Sequence, residues 1–532
     1  MWSPNTLFII CFTALMVCHP ASTVEECPGK GSCPAQTNGT SMLQIGKQMS
    51  KVTRESVNQT IFGVPILMET STEDETEESD WVVVLKDDNN IEATVHRACQ
   101  TTPKCTSEEL ALGMITLHCT WQELEEFVTK NRDEIESIEN DGVMVGDPDF
   151  PGEADPSLLQ AGNVNSWGLD RIDARSGLDN SYTPPAGAGQ GVHVYVLDTG
   201  IRTTHNDFGG RAIPTLEILG NGVKECKGST GCARDGHGHG THCAGTVGGS
   251  KFGVAKKATL HAVKVLTDNN GGQWSWFASA LDWIVRNGEE PAVVSASIKG
   301  RGTFQFLKTA VEGAVNHGIT VVVCAGNEND NGCKISPGYI PAAISVGATN
   351  SNDGRASFSN YGTCVDIFAP GVNINSAGHR SNGDTEMMSG TSMACPHVSG
   401  VAALLLQDEP NLSPQAVAKR LISDATKDKV KDAKGTPNRM LYVEGGPTPP
   451  QTTAPPPAGC EDQHWKCPNQ WKNKCHKAKF QKLCPLTCGQ CTSTTGEECK
   501  NKHPKCLTKW KNKCHKASVQ NKCPLMCGKC TV

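Results

Sequence analysis

The chain has 532 residues, a formal net charge of −7, 20% charged residues and 26 cysteines. That length calls for several domains, at least one large enough for a substantial core. The charge excludes generic nucleic-acid binding, and no run beyond the N-terminus is long and apolar enough to read as a transmembrane helix.

In chain order, "LFIICFTALMVC" (7–18) is followed by the small residues of "HPAST". This pattern predicts a cleaved signal peptide over 1–22 and a soluble, secreted, extracellular product. Twelve of the 26 cysteines fall in the last 73 residues, a density typical of disulfide scaffolds in oxidising compartments. Asn38 and Asn58 open sequons expected to carry glycans, whereas the Asn411 sequon is followed by Pro414. Residues 23–80, with the acidic run "ETSTEDETEESD" (69–80), read as a poorly ordered polar pro-segment. Residues 81–145 read as a small α+β domain. "WVVVLK" (81–86) and "EIESIEND" (134–141) suggest strands, and Trp121, Leu124, Phe127 and Val128 recur at helical spacing. A Pro/Gly/Asp-rich passage (146–160) then reads as a processing linker.

Over 161–445, the strand-like runs "VHVYVLDTG", "ATLHAVKVL", "AVVSASI", "ITVVVCAGN" and "AAISVGAT" alternate with helical patterns such as "WFASALDWIVRNG" and "FLKTAVEGAVNHG". The expected fold class is α/β: a three-layer, doubly wound, mostly parallel sheet, whose reactive groups gather at the carboxyl ends of strands. A later helix is expected in "LSPQAVAKRLISDAT", with Ser413 as N-cap and Pro414 at its first position. A Pro/Thr linker (446–459) leads to two cysteine modules, 460–491 and 499–530, in which "QWKNKCHKA" recurs as "KWKNKCHKA". Their identical cysteine spacing predicts two small disulfide-rich helical modules, with fifteen pairings open to each. Residues 460–532 carry net +11, which leaves −18 for everything before them. Such a tail suits an anionic surface, or is simply a solvated lysine-rich face.

Asp198, His239 and Ser392 are the candidate carriers of chemistry. Asp198 stands where the strand "VYVLD" breaks into a Thr-Gly turn; His239 and Ser392 each open a glycine-flanked, small-residue helix. A serine hydroxyl needs a base, an imidazole can serve as one, and a buried carboxylate holds the imidazole tautomer. A helix N-terminus favours a developing oxyanion, and Asn327 in "VVVCAGNEND" can add a side-chain donor. Taken alone, the loop "DGHGHGTHC" can be a proton shuttle, a glycine-rich turn or a metal cage, the last only if His237, His239, His242 and Cys243 converge on one point. "DTG" alone also suggests an aspartic protease, but a second Asp-Thr/Ser-Gly is absent.

The segments around these four residues, with "WGLDRID" (167–173) and "FSNYGTCVDIFAPG" (358–371), resemble the subtilisin-like serine proteases, most nearly the proteinase K branch. The resemblance covers roughly 160–445. It implies a triad of Asp198, His239 and Ser392, and an oxyanion hole of Asn327 and the Ser392 N–H. His242 then takes a packing role, and His237 none. It also implies a substrate edge in "SASIKGRG" (Ser295, Ser297, Ile298, Lys299, Gly300), where Lys299 replaces a usual glycine and alters preference at the cleft rim. A structural calcium held by Pro341, Ala343 and Asp366 is implied, with no organic cofactor. Cys333–Cys364 matches a bridge of close relatives and Cys226–Cys232 is plausible by proximity, while Cys243, Cys324 and Cys395 are expected as buried thiols.

Residues 81–145 resemble the inhibitor-type propeptide of this family, whose carboxyl end fills the groove until cleavage. That cleavage is expected near Gln160, within 145–161. The tail modules resemble the ShK toxin-like domain. Its pairing implies Cys460–Cys491, Cys467–Cys484 and Cys475–Cys488, then Cys499–Cys530, Cys506–Cys523 and Cys514–Cys527. Together these imply a secreted serine endopeptidase made as a zymogen, whose partners are protein or peptide substrates and its own propeptide. The tail offers a further attachment to anionic matrix, glycan or an ion channel. The rival expectation is a toxin-like binding protein that keeps the protease domain as a scaffold.

Overall fold

The computed structural model describes residues 56–61, 64–69, 78–86, 105–110, 114–146, 150–151, 166–220 and 222–444. The chain divides into two compact units, Met1–Arg54 and Glu55–Val532, and every described residue belongs to the second. The expected signal peptide, the sequon at Asn38, the Pro/Thr linker and both cysteine modules lie outside the described residues.

First comes a six-stranded sheet: β1 (Ser56–Ile61), β2 (Val64–Glu69), β3 (Ser79–Leu85), β4 (Cys105–Leu110), β5 (Met114–Cys119) and β6 (Ile135–Asn140). Its order is β1-β2-β6-β3-β5-β4. Between β5 and β6 runs α1 (Trp121–Asn131), opened by a capping box in which Thr120 and Glu123 satisfy each other's backbone N–H. The reading of 23–80 as one polar segment needs correction, because β1 and β2 belong to this sheet and the unit extends back to residue 56. Their alternation is mixed with polar residues, so only pairing with β6 reveals them.

β3 is apolar without alternation because both of its faces are covered. Trp81, Val83 and Leu85 pack with Leu124, Phe127 and Val128 of α1. Val82 and Val84 point the other way, into a cluster shared with the larger sheet.

The chain continues through β7 (Val143–Gly146), β8 (Phe150–Pro151) and α2 (Trp167–Asp173) into the main sheet. Its elements are β9 (His193–Asp198), β10 (Ala212–Ile218), β11 (Val223–Glu225), α3 (His239–Gly248), β12 (Thr259–Lys264), β13 (Gly271–Gln273), α4 (Trp274–Asn287) and β14 (Ala292–Ala296). β15 (Ile298–Arg301), α5 (Gln305–Asn316), β16 (Thr320–Cys324), β17 (Ile335–Ser336), β18 (Ile344–Thr349), β19 (Ile367–Pro370), β20 (Ile374–Ala377) and β21 (Thr385–Ser389) follow. α6 (Thr391–Asp408), α7 (Pro414–Asp424), β22 (Thr426–Lys427) and β23 (Arg439–Met440) complete the order. α7 starts as expected, with the Ser413 side chain accepting from Ala416 N–H and Pro414 in the first turn.

The ten-stranded sheet has the order β11-β10-β12-β9-β14-β16-β18-β19-β23-β22 and is parallel except at its two edge pairs. Along β9, Val194 and Val196 face a core built with α2, α3, α6 and α7, while Tyr195 and Leu197 face one built with α4 and α5. This is the expected three-layer α/β arrangement. The strand order reverses between β9 and β14, so a crevice opens at their carboxyl ends. Asp198 closes β9 there, and Ser297 directly follows β14.

Candidate active site

Asp198 and His239 are fully buried, and Asp198 Oδ1 lies 2.7 Å from His239 Nδ1. The same oxygen accepts the Thr199 N–H at 2.7 Å. Gly240 lets helix α3 approach this closely: a Cβ there would stand 2.2 Å from Gly200 O and 3.0 Å from Asp198 Cβ. Buried Asp235, which sequence reading missed, organises the loop before α3. Its Oδ1 accepts from His237 N–H, Gly238 N–H and the Thr199 hydroxyl, and its Oδ2 from Thr241 N–H and Oγ1. The only sequence signal for it is an acidic residue opening a glycine-rich loop.

Ser392 is buried in the first turn of α6. Cys243, one turn beyond His239, donates its thiol to Ser392 O at 3.5 Å, which ties α3 to α6. Ser297 Oγ donates to the same carbonyl at 2.8 Å, and Ser392 Oγ lies 3.4 Å from Ser297 O. Asn327 is oriented by accepting the Thr391 N–H on Oδ1 at 2.9 Å. Its buried Nδ2 has no hydrogen-bond partner among the described residues. That amide stands beside Gly390, where an added Cβ would be 3.1 Å from it, next to the serine.

The other loop histidines diverge. His242 Nε2 lies 3.0 Å from Ile374 O, and burial pushes its imidazole down to about 3. His237 is half-buried, with Nδ1 accepting the His239 N–H at 3.4 Å.

A groove runs alongside, and it holds a segment of the chain itself. β7 lies between β13 and β15, antiparallel to both, in a four-stranded sheet ordered β13-β7-β15-β17. Gly146 faces Ile298, and Val145 faces Lys299. Gly300 is glycine because the Val143 carbonyl passes 2.7 Å from where its Cβ would sit. At Gly146 a Cβ would meet Asn270 Oδ1 at 2.1 Å, while Asn270 Nδ2 donates to Gly146 O at 3.2 Å. Past the serine, Phe150 of β8 faces Ser389 of β21, three residues before Ser392. The stretch read as a linker thus begins at the last residue of β7 and contains β8.

One expected groove residue is placed elsewhere. Ser295 belongs to the central sheet, where its hydroxyl accepts from Ser399 Oγ of α6 at 2.8 Å, so it supports the helix rather than lining the groove. The opposite wall, β13, went unread although "NNGGQW" is a turn-rich signal preceding a helix.

The subtilase family model matches residues 189–441. A solved structure described as a cold adapted subtilisin-like serine proteinase is 43% identical with a TM-score of 0.49, covering 52% of this chain and 97% of that one. An extracellular serine proteinase of Thermus sp. (strain Rt41A) is 50% identical over 280 residues, 52% of this chain and 66% of the relative. Alkaline serine exoprotease A of Vibrio alginolyticus is 41% identical, covering 58% and 54% respectively. The chain therefore spans about half to two thirds of the length of these two relatives. Subtilisin-like protease 1 of Pseudogymnoascus destructans is 42% identical over 56% of this chain and 72% of its own length. The chain belongs to the subtilase family.

In this subtilase Lys299 is buried, and its ammonium forms an ion pair with Glu328, the neighbour of Asn327. The second Glu328 oxygen accepts from Asn360 Nδ2 at 2.6 Å. Both catalytic-domain bridges, Cys226–Cys232 and Cys333–Cys364, are formed. Cys395 is a buried free thiol, and Cys324 donates its thiol to Ile298 O at 3.4 Å. Asp366 pairs with the start of β18: its Oδ2 accepts the Ser345 N–H at 2.9 Å, and its own N–H donates to Ser345 O at 2.9 Å. Burial pushes this carboxyl upward. The carboxylate thereby stands at the start of β18, which follows exposed Pro341 and buried Ala343.

Proposed function

We propose that this subtilase is a secreted serine endopeptidase, made as a zymogen, that cleaves peptide bonds through an acyl-enzyme on Ser392. The observations that carry the reading are the buried Asp198–His239 contact of 2.7 Å, on a helix that Cys243 ties to Ser392, and the unpartnered Asn327 amide. Asp198 holds Nδ1–H, which leaves Nε2 of His239 as the base for the serine hydroxyl. His239 then passes that proton to the leaving amine, and water repeats the cycle on the ester. Asn327 Nδ2 and the Ser392 N–H stabilise the oxyanion.

In this reading, residues 56–146 are the propeptide and β7 is its inhibitory strand, bound by strand addition. Because β7 and β8 flank the serine on opposite sides, the first cut falls between Gly146 and Phe150, and any cut near Gln160 is a later trim. Substrates lie extended like β7, with a glycine favoured where Gly146 meets Asn270. Lys299 keeps its main-chain pairing and presents its ion pair with Glu328 at the rim. Pro341 O, Ala343 O and the Asp366 carboxylate would hold a calcium ion that ties this loop to β18 and supplies nothing to the chemistry. Secretion is supported by the extracellular relative, and no helix among the described residues is long and apolar enough to cross a membrane. The basic tail serves attachment to an anionic surface; deleting 460–532 should spare small-peptide turnover and lower retention there.

A fluorophosphonate probe tests the central claim. It should label Ser392 after propeptide removal, not before, and Ser392→Ala should abolish both labelling and peptidase activity in a folded protein. Activity that survives this substitution would overturn the reading.

A further inference from the structure

At the far end of β9 from Asp198, a second cluster of titratable side chains takes no part in the proposed chemistry. His193 opens β9, His261 lies on β12, and Glu289 stands in the loop between α4 and β14. One nitrogen from each ring and one Glu289 oxygen all fall within 4.8 Å of one another. His193 Nδ1 is 2.9 Å from His261 Nε2, and His193 Nε2 is 3.7 Å from Glu289 Oε2.

The cluster is held in place from outside. His261 Nδ1 lies 2.9 Å from Thr215 Oγ1, and that hydroxyl donates to Ile213 O at 3.2 Å. Thr215 therefore accepts from Nδ1–H, which leaves Nε2 of His261 as a lone pair directed at the other two groups. An outer partner of this kind is what fixes a ligating imidazole in metal sites. Tyr195 stacks on the His261 ring at 4.3 Å between centroids, and its hydroxyl accepts the Glu289 N–H at 2.6 Å. One buried tyrosine thus orients the ring of one group and the backbone of another. The His193 N–H donates to Pro291 O at 3.0 Å, which draws the same loop to the strand.

We propose that His193, His261 and Glu289 form a binding site for a borderline divalent transition metal, zinc in the first instance. Two imidazoles and a carboxylate match three of the four positions such an ion takes, with water in the fourth. Calcium is disfavoured because it seeks oxygen ligands. Ligand separations in a tetrahedral site are somewhat shorter than the widest one here, and Glu289, which is exposed, is free to close in. Ligation replaces the hydrogen bond between the two imidazoles. The site would staple the α4–β14 loop to β9 and β12. Its expected effect is on stability, since β9 separates it from Asp198 by the length of a strand.

The test uses the full chain carrying Ser392→Ala, so that it stays uncut. Cobalt(II) reports the site by its visible absorption, zinc competes for it, and thermal melts are recorded with and without zinc. The expectation is one cobalt-binding event that His193→Ala and Glu289→Gln each weaken by about tenfold or more, together with loss of the zinc-induced rise in Tm. His193 and Glu289 are chosen because neither is fully buried, and circular dichroism verifies that the variants fold. Folded variants that bind cobalt and respond to zinc like their parent would overturn the site and leave a hydrogen-bonded histidine pair.

Discussion

β9 and β3 are both largely apolar strands covered on two faces, yet they are covered by different things. β9 lies between two helical layers of its own domain. β3 has α1 on one side, and on the other the cluster that contains Trp274, Phe277 and Leu307 of α4 and α5. The six-stranded sheet therefore completes its burial only against the larger unit. Its carboxylates mark the same dependence: Glu139 accepts the Gln305 and Phe306 N–H groups at the start of α5, and Asp141 accepts the Ser275 N–H at the start of α4. An apolar run thus reports that a strand is buried without reporting by what. In the proposed zymogen, the distinction separates a permanent core from a removable one.

The permanent side of that comparison breaks most severely at the site. Asp198→Asn should leave the sheet intact and lower kcat by about 10⁴-fold through the wrong imidazole tautomer. Asn327→Ala should cost about 10²- to 10³-fold in kcat with little change in KM, read from steady-state peptide hydrolysis.

On the removable side, Gly146→Leu would drive a side chain into Asn270, and overpacking of this kind weakens the held strand. Activity in the uncut or freshly cut chain should then appear about tenfold sooner, followed by peptide turnover over time.

pH sharpens the same contrast. Burial pushes Glu139 and Asp141 up to about 7 each while the unit is docked. Their raised values mean that the docked state prefers them protonated. The hold is then full below the free carboxylate range of about 4 and fades as pH rises through about 7. Once the chain is cut, active enzyme should emerge several-fold faster at pH 8 than at pH 5.5, normalised to enzyme already freed of its propeptide.

The smallest effect concerns calcium. Chelation should lower Tm by about 5 °C without changing the initial rate, and Asp366→Asn should remove that sensitivity.

Much of the main domain was legible because its signals are local. The strand runs around Asp198 and Asn327, the helix patterns of α4 and α5, and the Ser413-Pro414 helix start each occupy a dozen residues or fewer. The groove was harder. Asn270 acts on Gly146 across 124 positions, and Glu139 caps a helix 166 positions away, so no window of sequence holds both partners. Ser295 misled for a related reason: it shares the "SAS" run with Ser297, but one still lies within the sheet while the other has left it.

By itself, the sequence determined the layered α/β core and singled out the carboxylate, imidazole and hydroxyl proposed as the triad. Hydrophobic period and glycine placement act over a few residues, and those chemistries require particular side chains. Only the tertiary structure decided which strand of the chain lies in the cleft, which residues wall that cleft and which carboxylates dock the α+β unit. Those contacts join groups more than a hundred residues apart, and their energies depend on burial that exists only once the two sheets have met.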